Sequence, residues 1–179
     1  MDNYKEKFSQ IYDQYIDKIY RFIYFKVSSQ EIAEDITSKV FLKGWEAYKN
    51  QKSKIKNQKE IENPSAFLYQ IARNTVIDHY RENAKMKVIS AEITPQIVDP
   101  RTGLEERAIL SSEFQEVKLA IQNLKQDYQD IIICHYIDDM NIPEIAEVMS
   151  KPEGTIRVML HRGLKALKKE MEAKKIQES

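Results

Sequence analysis

The chain has 179 residues, with 28 Lys/Arg balanced by 28 Asp/Glu and only four Gly and five Pro, a composition that favours long helices over a turn-rich β fold. Its single cysteine, Cys134, excludes an internal disulfide framework and fits a reducing compartment. No run reaches the roughly 18 apolar residues of a membrane span, and the start Met1-Asp2-Asn3-Tyr4-Lys5-Glu6 lacks a signal peptide's basic and apolar regions, so a cytoplasmic protein without membrane insertion is expected.

Zero net charge hides an uneven distribution. Lys49 to Lys87 carries nine Lys/Arg against four Asp/Glu, and Lys151 to Ser179 carries eight against four. Glu113 to Ser150 reverses the balance, with two against eight. The basic blocks suit phosphates; the acidic block is repelled from DNA and is expected to face water or a basic protein. Solvated helix faces account equally well for any one block.

In chain order, Phe8, Ile11, Tyr12, Tyr15, Ile19, Phe22 and Ile23 recur at helical spacing and predict a helix over about 4–27. Ser28-Ser29 with Glu31 and Glu34 caps a second helix, whose stripe Ile32, Ala33, Ile36, Val40, Phe41 and Trp45 runs to about Tyr48. Polar residues from Lys49 to Asn63 predict a solvated loop. Pro64-Ser65 then opens a third helix to about Lys85, with Phe67, Leu68, Ile71, Ala72, Thr75 and His79 on its inner side. Residues 86–103, with Pro95, Pro100 and Gly103, have linker composition. Further helices follow at about 104–124, 126–136, 142–149 and 153–174. The expectation is an all-α protein of two small helical domains, 1–85 and 104–179, joined by a flexible linker over 86–103.

The sharpest signal lies in Tyr128 to Leu167. Asn141 and Glu144 form a capping box around Pro143, a short helix stops at Ser150-Lys151-Pro152, and a longer basic helix starts at once. These are the parts of a helix-turn-helix, whose second helix enters the major groove. Ile156, Leu160, Leu164 and Leu167 predict its inward stripe, leaving Arg157, Val158, His161, Arg162 and Lys165 outside. An ordinary helical bundle is the plainer reading of this segment alone.

The segment PEIAEVMSKPEGTIRVMLHRGLKALKKE resembles the minus-35-reading domain of extracytoplasmic-function sigma factors. AEDITSKVFLKGWEAY and PSAFLYQIARNTVIDHYRE resemble their N-terminal domain. The likeness covers roughly residues 8–85 and 104–170 in the family's order. It implies a transcription initiation factor that binds core RNA polymerase, directs it to promoters and assists melting, with no catalysis and no cofactor. The implied partners are the β′ clamp helices, the β flap and promoter DNA, with an anti-sigma factor as a further candidate and no small-molecule substrate.

By the same resemblance, Asp35, Ser38, Lys39 and Leu42 dock on polymerase, Ser38 standing where the family usually has glutamine. Tyr69, Arg73, Asn74, Ile77, Tyr80 and Arg81 contact the melted minus-10 strand, and a base flipped from the duplex enters the preceding loop. Aromatic and basic residues interleave on that helix as stacking on unpaired bases requires. Asn74, Asp78 and Arg81 also read as a structural polar network. Glu153, Thr155, Arg157, Val158, His161, Arg162 and Lys165 contact the minus-35 element, Val158 and Met159 replacing the more usual Ser and Arg. The competing readings are a stand-alone helix-turn-helix regulator and an enzyme built on His79, Cys134, His135 or His161. The first leaves residues 1–85 unexplained, and the second lacks any metal or phosphate motif, so Cys134 reads as a small buried hydrophobe.

Overall fold

The computed structural model describes residues 3–54, 61–91 and 112–178. Helix α1 spans Asn3–Lys26, α2 Gln30–Lys54 and α3 Pro64–Ala91. After them come α4, Ser112–Gln122, and α5, Gln126–Ile132, which runs into a π-helical turn, Ile133–Ile137. The last two are α6, Ile142–Met149, and α7, Glu153–Glu178. Among the described residues there is no strand.

The helix starts follow from the side chains that accept orphan amides. Ser29 Oγ accepts from the Ile32 amide at 3.2 Å, and Asn63 Oδ1 accepts from the Ala66 amide at 3.0 Å with Pro64 in the first turn. At α6 both arms of the expected capping box form, Asn141 to the Glu144 amide at 2.9 Å and Glu144 to the Asn141 amide at 2.8 Å. Two helices outrun their expected ends: residues 49–54 continue α2 and residues 86–91 continue α3. Polar side chains and absent apolar periodicity do not stop a helix unless a proline or glycine intervenes. The rest of the expected loop (55–60), most of the expected linker (92–103) and the expected helix start at 104–111 lie outside the described residues.

α1, α2 and α3 pack around Ile19, Phe22, Ile23, Ile36, Val40, Leu68 and Val76, all essentially inaccessible to water. Gly44 brings α2 close to α3, since a Cβ there would sit 3.3 Å from Leu68 Cδ2. The second group, α4 to α7, closes on Ile121, Ile131, Ile133, Ile145, Val148 and Ile156. Cys134 is buried among them, and burial, followed by the nearby Asp130 and Asp138 charges, pushes its thiol pKa up. In α7 the inward stripe includes Gly163, whose absent Cβ faces Tyr128 and Ile132 at 3.5 Å. The expected inward Leu164 is instead exposed. α7 thus turns Gly163, and not the neighbouring Leu164, toward α5.

The two groups do not stand apart: the buried residues of both form one continuous core. Phe25 at the end of α1 meets Phe114 of α4 with ring centroids 5.2 Å apart, and the Gln122 side-chain amide donates to the Val27 carbonyl at 2.7 Å. Charges also line the seam. The Lys26 ammonium and the Asp130 carboxylate pair with neither side chain reached by water. Arg73 Nε donates to the other oxygen of Asp130 at 2.8 Å, and its Nη2 reaches Asp127 at 3.2 Å.

The π-helical turn sets the other end of this seam. Its wider winding lets the Asp138 amide donate to the Ile133 carbonyl at 3.0 Å, and Asp139 then takes a left-handed conformation at φ 53°. The Asp138 carboxylate thereby accepts from Arg21 Nη2 at 2.7 Å, Arg21 Nε at 2.9 Å and the Tyr69 hydroxyl at 2.8 Å. Burial raises the Asp138 pKa, although Arg21 and Tyr69 pull it down.

Two outcomes are expected. Because a methyl at Gly163 would meet only ordinary contact distances, Gly163→Ala should stabilise the fold by about 1 kcal/mol in chemical denaturation. Gly44→Ala should gain less, since Leu68 would have to yield. For Asp138, a raised folded pKa means that the folded chain holds the proton more tightly than the unfolded one. That contribution to stability is full below the unfolded value and lost as pH rises through the folded one. Asp138→Asn lacks this titration, so its stability should gain on wild type as pH rises above the ordinary carboxylate range of about 4. A difference that stays constant across a denaturation series in pH would refute the account.

Candidate polymerase and nucleic-acid interfaces

Along α2, the expected docking residues Asp35, Ser38, Lys39 and Leu42 form an outward stripe with Glu46, all exposed. Asp35 and Lys39 pair at 3.0 Å one turn apart, a wet ion pair of small energetic weight. Leu42 is the telling member: it leaves 59% of its surface in water among charged neighbours, where no core demands an apolar residue. The Ser38 hydroxyl is turned back onto the Glu34 carbonyl at 3.1 Å, so at this position the helix offers a short, self-satisfied side chain.

The helix-turn-helix geometry is explicit in α6 and α7. Ser150 ends α6 in the left-handed region at φ 52°, and its successor Lys151 donates to the Ala146 carbonyl at 3.0 Å. This turn aims the start of α7 outward. Glu153, Thr155, Arg157, Val158, His161, Arg162 and Lys165 are all exposed, as expected, while Ile156 anchors the helix at zero exposure. Glu153 holds Arg157 at 3.2 Å across one turn. Val158 stays 48% exposed, an apolar spot in an otherwise polar face that can meet a thymine methyl.

α3 differs from its expected geometry. Tyr69 and Arg73 were expected on a free face opposite Phe67, Leu68, Ile71 and Ala72. Instead Leu68, Tyr69, Ala72 and Val76 are buried together, and Phe67 and Ile71 are only partly covered. The physical reason is that α3 is packed on two sides, against α1 and α2 and against the second helix group, so its inner stripe is wider than one core requires. Tyr69 stacks edge-on to Phe22 at 5.2 Å and donates to Asp138, and burial drives its phenol pKa strongly upward. Arg73 is spent on Asp130 and Asp127.

The remaining α3 candidates stay accessible to different degrees. Asn74 and Arg81 are exposed and Ile77 is half-buried. Tyr80 keeps 39% of its surface in water while its hydroxyl donates to the Lys26 carbonyl. Asp78 is exposed and stands 4.0 Å from Lys43 of α2. The six minus-10 candidates therefore divide into an available group beyond residue 73 and a covered pair, Tyr69 and Arg73.

Sequence reasoning missed Arg21, Lys26, Asp130 and Asp138. Their signal was present only in bulk, as an acidic block that needed a basic partner. That partner is the surface of α1 and α3 in the same chain. Among the described residues no group of three or more His, Cys, Asp or Glu is placed to hold a metal ion, and no helix is long and apolar enough to cross a membrane.

The comparisons with known proteins fall on these helices. The family model of sigma-70 region 2 matches residues 11–86, and that of sigma-70 region 4 matches residues 114–167. The ECF RNA polymerase sigma factor SigW of Bacillus subtilis is 33% identical over 176 residues, which is 93% of this chain and 90% of that protein. The ECF RNA polymerase sigma factor BldN of Streptomyces coelicolor is 29% identical over 164 residues, 90% of this chain and 59% of that protein. The sigma factor RpoE from Bartonella quintana, solved in complex with the anti-sigma factor NepR, shares the fold at a TM-score of 0.64 and 18% identity, over 96% of this chain and 98% of that one. With both sigma-70 regions met in order, and a relative one-third identical across nine-tenths of each chain, this protein belongs to the extracytoplasmic-function family of RNA polymerase sigma factors.

Proposed function

We propose that the chain is the promoter-specificity subunit of a bacterial RNA polymerase, acting without catalysis of its own in the cytoplasm, where polymerase and chromosome are found. The observation that carries this reading is the outer face of α7. A left-handed turn at the end of α6 aims the helix, and every candidate base-reading side chain from Glu153 to Lys165 is exposed to water. Arg157 and Arg162 can each pair bidentately with a guanine, and Lys165 can hold a phosphate. The α2 stripe around Leu42 supplies the second requirement, a protein-binding face for the β′ clamp helices, and the helices after residue 112 would meet the β flap.

On this reading, α7 holds the minus-35 duplex while α3 receives the minus-10 strand after melting. Unstacking a base costs a few kcal/mol, so contacts that only the open strand can make draw the equilibrium toward melting. Asn74, Ile77, Tyr80 and Arg81 are the accessible candidates for the strand, with Tyr69 and Arg73 beside them. No bond is made or broken. The domain division at about residues 86–103 belongs to this proposal, since the two sites must span a fixed promoter spacing. An anti-sigma factor is a further candidate partner, as NepR is for the Bartonella protein.

The test is transcription by core polymerase, with and without the chain, on a pool of randomised promoters, with the RNA 5′ ends sequenced. Starts that require the protein and share two upstream elements are expected; DNA binding that never depends on polymerase would point to a stand-alone regulator instead. Once a promoter is in hand, Arg157→Ala and Arg162→Ala should each weaken its recognition by about 1–3 kcal/mol and relax preference at one base pair. Leu42→Asp should reduce affinity for core polymerase at least tenfold in a fluorescence titration and leave thermal stability nearly unchanged, because most of the Leu42 surface already lies in water.

A further inference from the structure

We propose that Val158 and Gly154 form an apolar notch on α7 that reads the 5-methyl group of one thymine in the minus-35 element, a contact that rests on the reading of α7 as the minus-35 helix. A single exposed valine is ordinary on a protein surface. The place of this one is not. Val158 follows the fully buried Ile156 by two residues, which carries it about 200° round the helix, to the side of α7 farthest from its core anchor. Gly154, Thr155, His161 and Arg162 lie one turn away on the same face, and all are exposed. The Glu153–Arg157 pair closes on itself along the flank at 3.2 Å, and Val158 keeps 48% of its surface in water.

Nothing in the fold requires a glycine at 154. Its backbone lies outside the positive-φ region, and a Cβ there would meet no atom within 4 Å. Glycine is a poorer helix former than alanine, and its remaining use is to let another molecule come close to the backbone. The open surface this leaves lies one turn below Val158.

Valine holds one strongly preferred rotamer in a helix, so its two methyls are fixed before DNA arrives. They neither donate nor accept a hydrogen bond. The major-groove edge of a base pair offers donors, acceptors and one apolar feature, the thymine methyl. Cytosine at the same place would turn its amino donor toward a side chain that cannot accept it. The notch therefore favours T·A over C·G by the methyl group. Arg162 supplies the register: it lies four residues on, about 6 Å along the axis or about two base steps, so the thymine falls within about two base pairs of the guanine that Arg162 reads.

The test uses holoenzyme, the full chain on core polymerase, with a promoter taken from the randomised pool. Replacing each minus-35 thymine in turn by deoxyuridine removes one methyl, keeps the hydrogen bonds of the base pair and leaves the protein unaltered. At one position near the Arg162 guanine, wild-type holoenzyme should bind about fourfold more weakly, the equivalent of one lost methyl contact. Val158→Ser holoenzyme should bind the two DNAs equally. Deoxyuridine tolerated at every position, a minus-35 element without thymine there, or a loss that persists in Val158→Ser would each overturn the proposal. Gly154→Ala should weaken binding to the unmodified promoter at least about fivefold with thermal stability undiminished, and unaltered binding would overturn the close approach on which the notch depends. Failure of the underlying reading has its own signature: Arg157→Ala, Arg162→Ala and a scrambled minus-35 element would all leave binding unchanged, and both readings would fall. Failure of the notch alone leaves those losses in place.

Discussion

The Asp130 carboxylate is the constraint on which the relation between the two halves depends. Taking a carboxylate and an ammonium out of water costs several kcal/mol per ion, recovered only when geometry is good and remaining lone pairs are used. Here one oxygen faces Lys26 and the other faces Arg73, so the charge is matched from two helices at once. Net stabilisation from such a cluster is small, yet its demand on register is severe. Slide α5 by one residue and Asp130 leaves both cations, and Lys26 would then be buried without its partner. The acidic block is therefore placed by the cost of leaving it elsewhere.

This seam makes the two candidate DNA surfaces unequal. The outer face of α7 is ready as it stands, carried on a helix whose anchors, Ile156 and Gly163, face inward. The α3 face is conditional. Its Tyr69 serves as a core aromatic against Phe22 and as a donor to Asp138, and its Arg73 serves as a counter-ion. The same attributes that suit these side chains to an unpaired strand, a ring to stack and a cation for phosphates, suit them to an acidic protein surface. Here an internal acidic surface occupies them.

The π-helical turn shows how local backbone geometry serves this arrangement. One extra residue in the winding after Ile132 carries Asp138 round to Arg21 and Tyr69, and the left-handed Asp139 then redirects the chain toward α6. A regular α-helix through the same residues would rotate Asp138 by most of a residue's turn, away from that pair. The helix-turn-helix and the seam thus share one element, since α6 begins four residues beyond Asp138.

Much was legible in the sequence because it depends on near neighbours. The helices, the Ser29 start, the Asn141–Glu144 box, the break before Pro152 and the outward stripes of α2 and α7 follow from spacing, capping and proline chemistry within a few residues. Lys49–Lys54 and Met86–Ala91 read as non-helical because apolar periodicity reports burial; an exposed helix lacks it and is still a helix. What only the tertiary structure decided is which side of α3 is inside. A helical wheel assigns one buried stripe, but a helix caught between two packed groups has two. The sequence could show that an acidic block needed a basic counterpart; that the counterparts of its Asp130 and Asp138 lay 57 to 117 residues earlier in the same chain is a long-range pairing, set by where α1 and α3 come together.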